Sequence, residues 1–163
     1  NPVLQMGLKT FAEAARRAGV SACIIPDVPL EEEALFKEPL RGEGIVLIRL
    51  VPLTASLERL EDLSNEAEGF LYAVTVNGIT GEKAELEYRY LQERVEYLKG
   101  LTKVPIYAGF GISNPKTANA LLAFCDGIIV GSKIVNALHK KDKEEIEGFV
   151  RGVKRSSEAP FVF

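Results

Sequence analysis

Five short apolar runs, each nearly unbroken, recur along this chain and alternate with amphipathic segments. The runs cover 22–25, 45–53, 70–76, 104–108 and 127–130, and the second is interrupted by a single charge, Arg49. A strand with one face in water alternates apolar and polar residues, whereas a strand covered on both faces reads as a continuous apolar stretch. The runs therefore predict strands buried on both faces of a parallel sheet under helices. The intervening segments fit that cover. Segment 6–18 carries Leu8, Phe11, Ala12, Ala15 and Ala18 at helical spacing and stops at Gly19. A second helix over 30–36 follows Pro29, with Glu31, Glu32 and Glu33 in its first turn, where the macrodipole favours acids. Further helices are predicted over 56–67, 86–98, 114–124, 133–139 and 143–154, the one over 114–124 opening on Asn114 as cap and Pro115 at its first position.

The length sets how many such units fit. A complete (β/α)8 barrel uses about 250 residues, or roughly 31 per unit. The 163 residues here hold about five units, so the expected fold is a single α/β domain over 1–163, the C-terminal portion of such a barrel. The chain opens on Asn1-Pro2 rather than Met and reads as starting inside a longer sequence. Apolar residues make up 47% and the net charge is −3, which suits a protein with a packed core. No Lys/Arg run exceeds two residues, which argues against a nucleic-acid partner. No apolar run approaches the roughly 18 residues of a membrane span. The two cysteines, Cys23 and Cys125, have no metal-binding or CxxC spacing and read as small hydrophobes in a reducing, cytoplasmic setting.

In parallel α/β folds chemistry collects at the carboxyl ends of the strands. Those ends read Pro26-Asp27-Val28-Pro29, Val51-Pro52-Leu53-Thr54-Ala55-Ser56, Asn77-Gly78-Ile79-Thr80-Gly81, Gly109-Phe110-Gly111-Ile112-Ser113 and Gly131-Ser132. The last three contain glycine, which either makes a tight turn or lets backbone N–H groups close on an anion. Gly131-Ser132 also opens a short helix, whose free amides and positive end suit a phosphate. Asp27 is open to a capping, an interface or a catalytic role. Tyr72 points either into the barrel or into the helix layer. His139, the only histidine, lies beside Lys140-Lys141 and reads as solvated surface. No strand end offers facing carboxylates, a histidine pair or an activated nucleophile, so the acid–base groups of any enzyme built on this chain are expected mostly elsewhere.

The strand-end motifs, taken in order, resemble the alpha subunit of tryptophan synthase. The matching stretches are Asn1-Pro2 with Met6-Gly7, Ile24-Ile25-Pro26-Asp27-Val28-Pro29, Asn77-Gly78-Ile79-Thr80-Gly81, Gly109-Phe110-Gly111-Ile112-Ser113, and Asp126-Gly127-Ile128-Ile129-Val130-Gly131-Ser132. The resemblance implies a (β/α)8 TIM barrel that cleaves indole-3-glycerol phosphate to indole and glyceraldehyde 3-phosphate, with neither metal nor cofactor, and passes indole to a pyridoxal-phosphate-dependent beta subunit. It implies that Gly81, Gly111, Gly131 and Ser132 hold the phosphate and that Ile24, Tyr72 and Phe110 line the indole pocket. Thr80 becomes a mobile-loop residue, and Asp27 and Pro29 face the beta subunit. The family's catalytic carboxylates fall before Asn1, so this chain is expected to carry no catalytic residue and no lyase activity of its own. Two rival readings stand beside it. One is a noncatalytic half-barrel that binds a phosphorylated ligand and self-associates through open sheet edges. The other is a pyrophosphate-using barrel, which needs a metal and more carboxylates than these strand ends carry.

Overall fold

In the computed structural model of the chain, residues 2–74, 84–109 and 111–153 are described. Five parallel strands run in sequential order: β1 (Ala22–Ile24), β2 (Val46–Pro52), β3 (Leu71–Val74), β4 (Ile106–Gly109) and β5 (Gly127–Ile129). They alternate with helices and form a half-barrel. The helices are α1 (Pro2–Met6), α2 (Leu8–Arg17), α3 (Glu33–Gly42), α4 (Leu57–Ser64), α5 (Ala84–Leu101), α6 (Pro115–Leu122), α7 (Ser132–His139) and α8 (Lys143–Gly152). Local chemistry sets several of their starts. The Ser56 hydroxyl accepts the Arg59 amide at 3.2 Å to open α4, and the Asn114 side chain accepts the Thr117 amide at 3.0 Å to open α6.

Register pairing sorts the side chains by face, because partners opposite each other on neighbouring strands project to the same side. Leu71 pairs with Ile106 and Ala73 with Ala108. All four belong to the buried cluster that includes Leu60 of α4, Val95 and Leu98 of α5, Leu121 of α6 and Phe149 of α8. The opposite face therefore carries Ile24, Ile48, Leu50, Tyr72 and Tyr107, in register across β1 to β4. Tyr107 stacks on Phe70 with ring centroids 4.8 Å apart. A smaller cluster of Ala12, Ala15, Phe36, Leu40, Ile45 and Leu47 seats α2 and α3 against β2.

Three features depart from the expectations. The strands are not all buried on both faces: Ala22 and Ile24 of β1 are exposed, and Ile24 retains 42% of its surface. Helices cover one face only, and β1 is an edge strand among the described residues. The helix expected over 6–18 is α2, which starts at Leu8; Met6 closes the separate α1, and Gly7 between them has a φ of 87°, in a region open mainly to glycine. The helix expected over 30–36 begins as a 3-10 turn at Leu30–Glu32 and continues as α3 to Gly42, with Pro39 inside it. Proline removes a helical N–H and crowds the preceding turn, but Phe36 and Leu40 anchor α3 in the core on either side of it.

A buried ion pair ties α3 to the sheet. Arg49 donates to both carboxylate oxygens of Glu33, from Nε at 2.5 Å and from Nη2 at 2.9 Å. Its remaining nitrogen donates to the carbonyls of Leu63, at 3.1 Å, and Asn65 at the end of α4. The one charge in the second apolar run thus satisfies a helix C-terminus and a buried carboxylate together.

Candidate functional site

The β4 and β5 loops and the start of α7 meet around a cleft of about 370 Å³. It is lined by Tyr72 from β3, Gly111 to Ser113 after β4, Ile129 to Ser132 at the end of β5, and Lys133 and Asn136 of α7. The sequence folds this way because β4 ends on Gly109 and β5 is followed two residues later by Gly131, neither with a side chain, and α7 starts directly after Gly131 while α6 starts at Pro115. Gly131 caps α7 without a side-chain hydrogen bond. The first intrahelical acceptor is its carbonyl, which takes the amides of Ile134 and Val135 at 3.0 and 3.1 Å. Amides in the first turn of a helix have no intrahelical acceptor and carry the positive end of the macrodipole. Gly111, at φ 70°, shapes the facing loop, again in the region that favours glycine.

The polar groups available in this cleft are the hydroxyls of Tyr72, Ser113 and Ser132, the Asn136 amide and Lys133. Burial pushes the Tyr72 phenol above its ordinary range, so it stays protonated as a donor at neutral pH. The Lys133 ammonium is paired with Glu145 of α8. The described residues lining the cleft include no carboxylate and no imidazole. The arrangement can bind an anion next to an aromatic wall. Its described lining residues include no carboxylate or imidazole placed for proton transfer.

The expected site residues fall into three groups. Gly111, Gly131, Ser132 and Tyr72 are brought together in the one cleft. Ile24 shares the face of Tyr72 but lies outside the cleft, at the level of Ile48 on the edge strand. Thr80, Gly81 and Phe110 lie outside the described residues. Asp27 sits exposed in the turn after β1, and Pro29 starts the 3-10 turn beside a second, largely apolar cleft of about 320 Å³ between that turn and β2. Sequence reasoning missed Ser113, Lys133 and Asn136. The spacing of Ser132 and Asn136, four apart on a helix that starts at a strand end, was the available signal.

Comparison with known proteins turns this geometry into a relationship. The family model described as tryptophan synthase alpha chain matches residues 1–159. The chain belongs to the tryptophan synthase alpha chain family. It is 41% identical over 151 residues to the tryptophan synthase alpha chain of Listeria monocytogenes serotype 4a (strain HCC23), covering 93% of this chain and 58% of that protein. It is 40% identical over 159 residues to that of Bacillus cereus (strain AH820), covering 98% and 61% respectively. Among solved structures it is similar to tryptophan synthase subunit alpha from Campylobacter jejuni, with a TM-score of 0.82, 32% identity and coverage of 93% of this chain and 61% of that one. It is also similar to a chain of the tryptophan synthase a2b2 complex from Pyrococcus furiosus, with a TM-score of 0.77, 27% identity, and 93% and 61% coverage. The chain thus spans about 60% of the length of these tryptophan synthase alpha relatives. No helix among the described residues is long and apolar enough to cross a membrane.

Proposed function

We propose that this chain forms the phosphate- and indole-binding part of a cytoplasmic lyase that cleaves indole-3-glycerol phosphate to indole and glyceraldehyde 3-phosphate in tryptophan biosynthesis. The observation that carries the reading is the convergence of the β4 loop, the β5 loop and the start of α7 on one cleft walled by Tyr72. Gly111, Gly131 and Ser132 offer the phosphate backbone amides and a hydroxyl, and Gly81 adds the third loop. Tyr72 supplies the wall against which the indole ring packs, with Ile24 further along the same sheet face, and the family resemblance assigns Phe110 to the indole and Thr80 to the substrate. Asp27 and Pro29 face the beta chain that takes up indole, in keeping with the a2b2 complexes among similar structures.

Breaking the carbon–carbon bond requires a proton delivered to the indole ring and another removed from the glycerol hydroxyl. The cleft lining supplies binding and orientation, and binding that is equal in ground and transition states does not speed the chemical step. The acid and base are assigned to the part of the relatives' length that this chain does not match. The test pairs two measurements on the 163 residues. Indole-propanol phosphate is expected to bind, with loss of binding on Gly131→Asp. Indole release from indole-3-glycerol phosphate is expected to be undetectable. Release of indole by the chain alone would overturn the division of labour, and failure to bind the analogue would overturn the cleft.

The exposed edge of β1 supports a second reading, in which this chain alone self-associates by strand pairing. Sedimentation at rising concentration is expected to show a dimer, and a monomer throughout would refute it.

A further inference from the structure

Lys133 is the one basic residue among the described residues that line the cleft, and its ammonium is paired with Glu145 of α8. It occupies the second helical position of α7, where a cation opposes the macrodipole, and the first turn of α7 contains no acid to offset it. Helical side chains lean back toward the N-terminus, which at this position is the mouth of the cleft. Glu145 is free to reach it for a specific reason. It is the third residue of α8, after the cap Asp142, whose side chain accepts the Glu145 amide at 2.8 Å. In a reciprocal capping box the Glu145 carboxylate would fold back onto the Asp142 amide. That amide instead donates to the Ala137 carbonyl at 2.9 Å. The carboxylate crosses to Lys133, and both side chains are largely withdrawn from solvent, at 26% and 29% exposure.

We propose that Glu145 attenuates the cleft's affinity for a phosphate group by holding the ammonium of Lys133, so that the anion is bound mainly by backbone amides and hydroxyls and leaves readily. The proposal rests on the cleft being the phosphate site described above. Glu145→Gln removes the competing carboxylate and lets the lysine swing over the mouth.

Inorganic phosphate is titrated into the 163-residue chain by calorimetry at low and high salt. The forms compared are the parent, E145Q, K133M, the K133M/E145Q pair and E144Q, the last removing an exposed charge on the same turn. E145Q is expected to bind phosphate about three- to tenfold more tightly, with a steeper loss in salt. The double variant is expected to show no gain, and E144Q is expected to match the parent at high salt. Parent-like binding by E145Q overturns the proposal alone, as does a gain that survives in the double variant or appears equally in E144Q. Absence of phosphate binding in every form overturns the cleft reading and this proposal together.

Discussion

A methyl group on Gly109 would lie 2.1 Å from Cε2 of Tyr72 and 2.3 Å from its hydroxyl oxygen. The ring of Tyr72 therefore occupies the space a side chain at Gly109 would need, and this places the phenol at the edge of the cleft. The relationship makes a specific prediction. Gly109→Ala forces the ring off its position and is expected to cost about 1–3 kcal/mol, the usual range for overpacking. Tyr72→Leu combined with Gly109→Ala is expected to recover part of that loss, because contacting residues are not additive. Urea unfolding of the two single variants and the pair checks it. Additive losses would show that the two positions do not compete for space.

The Glu33–Arg49 pair predicts a different pattern. Both side chains are about nine-tenths buried, at 9% and 11% exposure. Arg49→Met leaves a buried carboxylate and the Leu63 and Asn65 carbonyls without the guanidinium, an effect expected to cost about 3–5 kcal/mol. Replacing both groups, as Glu33→Leu with Arg49→Met, is expected to restore the part of the loss that comes from the unpaired buried carboxylate, while the Leu63 and Asn65 carbonyls stay without the guanidinium. Denaturant midpoints decide between this and a surface-like pair, for which Arg49→Met would cost under about 1 kcal/mol.

The order of strands and helices was readable because it rests on local pattern. Continuous apolar runs give strands, 3.6-residue periodicity gives helices, and Asn114-Pro115 marks a helix start whatever lies around it. The exposure of Ile24 was not readable, because it depends on what pairs with the edge of β1 and not on the run itself. The survival of α3 through Pro39 likewise depends on the burial of Phe36 and Leu40, and the break at Gly7 rests on a positive φ that the apolar spacing around it does not signal. At the cleft, Gly111, Gly131 and Ser132 stood out because strand ends in parallel folds point at one mouth. The Lys133–Glu145 and Glu33–Arg49 pairs join residues on separate elements, and nothing in the local sequence signals which lysine meets which glutamate.

Arg94 of α5 clamps the loop after β2. Its Nε donates to the Leu53 carbonyl at 3.2 Å and to the Tyr90 hydroxyl at 3.1 Å, and Nη2 donates to the Ala55 carbonyl. Its guanidinium carbon lies 5.2 Å from the Tyr90 ring centroid. Arg94→Met preserves the aliphatic stem and removes the donors, so the expected cost is about 1–3 kcal/mol from hydrogen bonds to a charged group. Amide exchange is expected to accelerate at 53–56 and to stay unchanged in β4. Uniform acceleration across the sheet would mean that Arg94 supports the whole fold and not that loop.

Alkaline pH should loosen the protein through its thiols. Burial pushes the Cys125 thiol up to about 12, with the Asp126 charge acting in the same direction and Lys99 against it. Cys23, less buried, is raised by the same cause. A thiol whose value is higher folded than unfolded keeps its proton in the folded state while the unfolded chain loses one, so stability falls as pH rises between the two values. For Cys125 the stability is intact below about pH 9 and declines from there toward pH 12. The tyrosines raised in the same direction, Tyr72 and Tyr97, join only above about pH 10. Urea midpoints measured from pH 7 to 10 are therefore expected to fall above about pH 9, and Cys125→Ala is expected to flatten that limb. Cys125 is also expected to resist a thiol reagent at pH 8 until the chain unfolds, with Cys23 reacting first. An equal alkaline slope in Cys125→Ala would assign the loss to other groups.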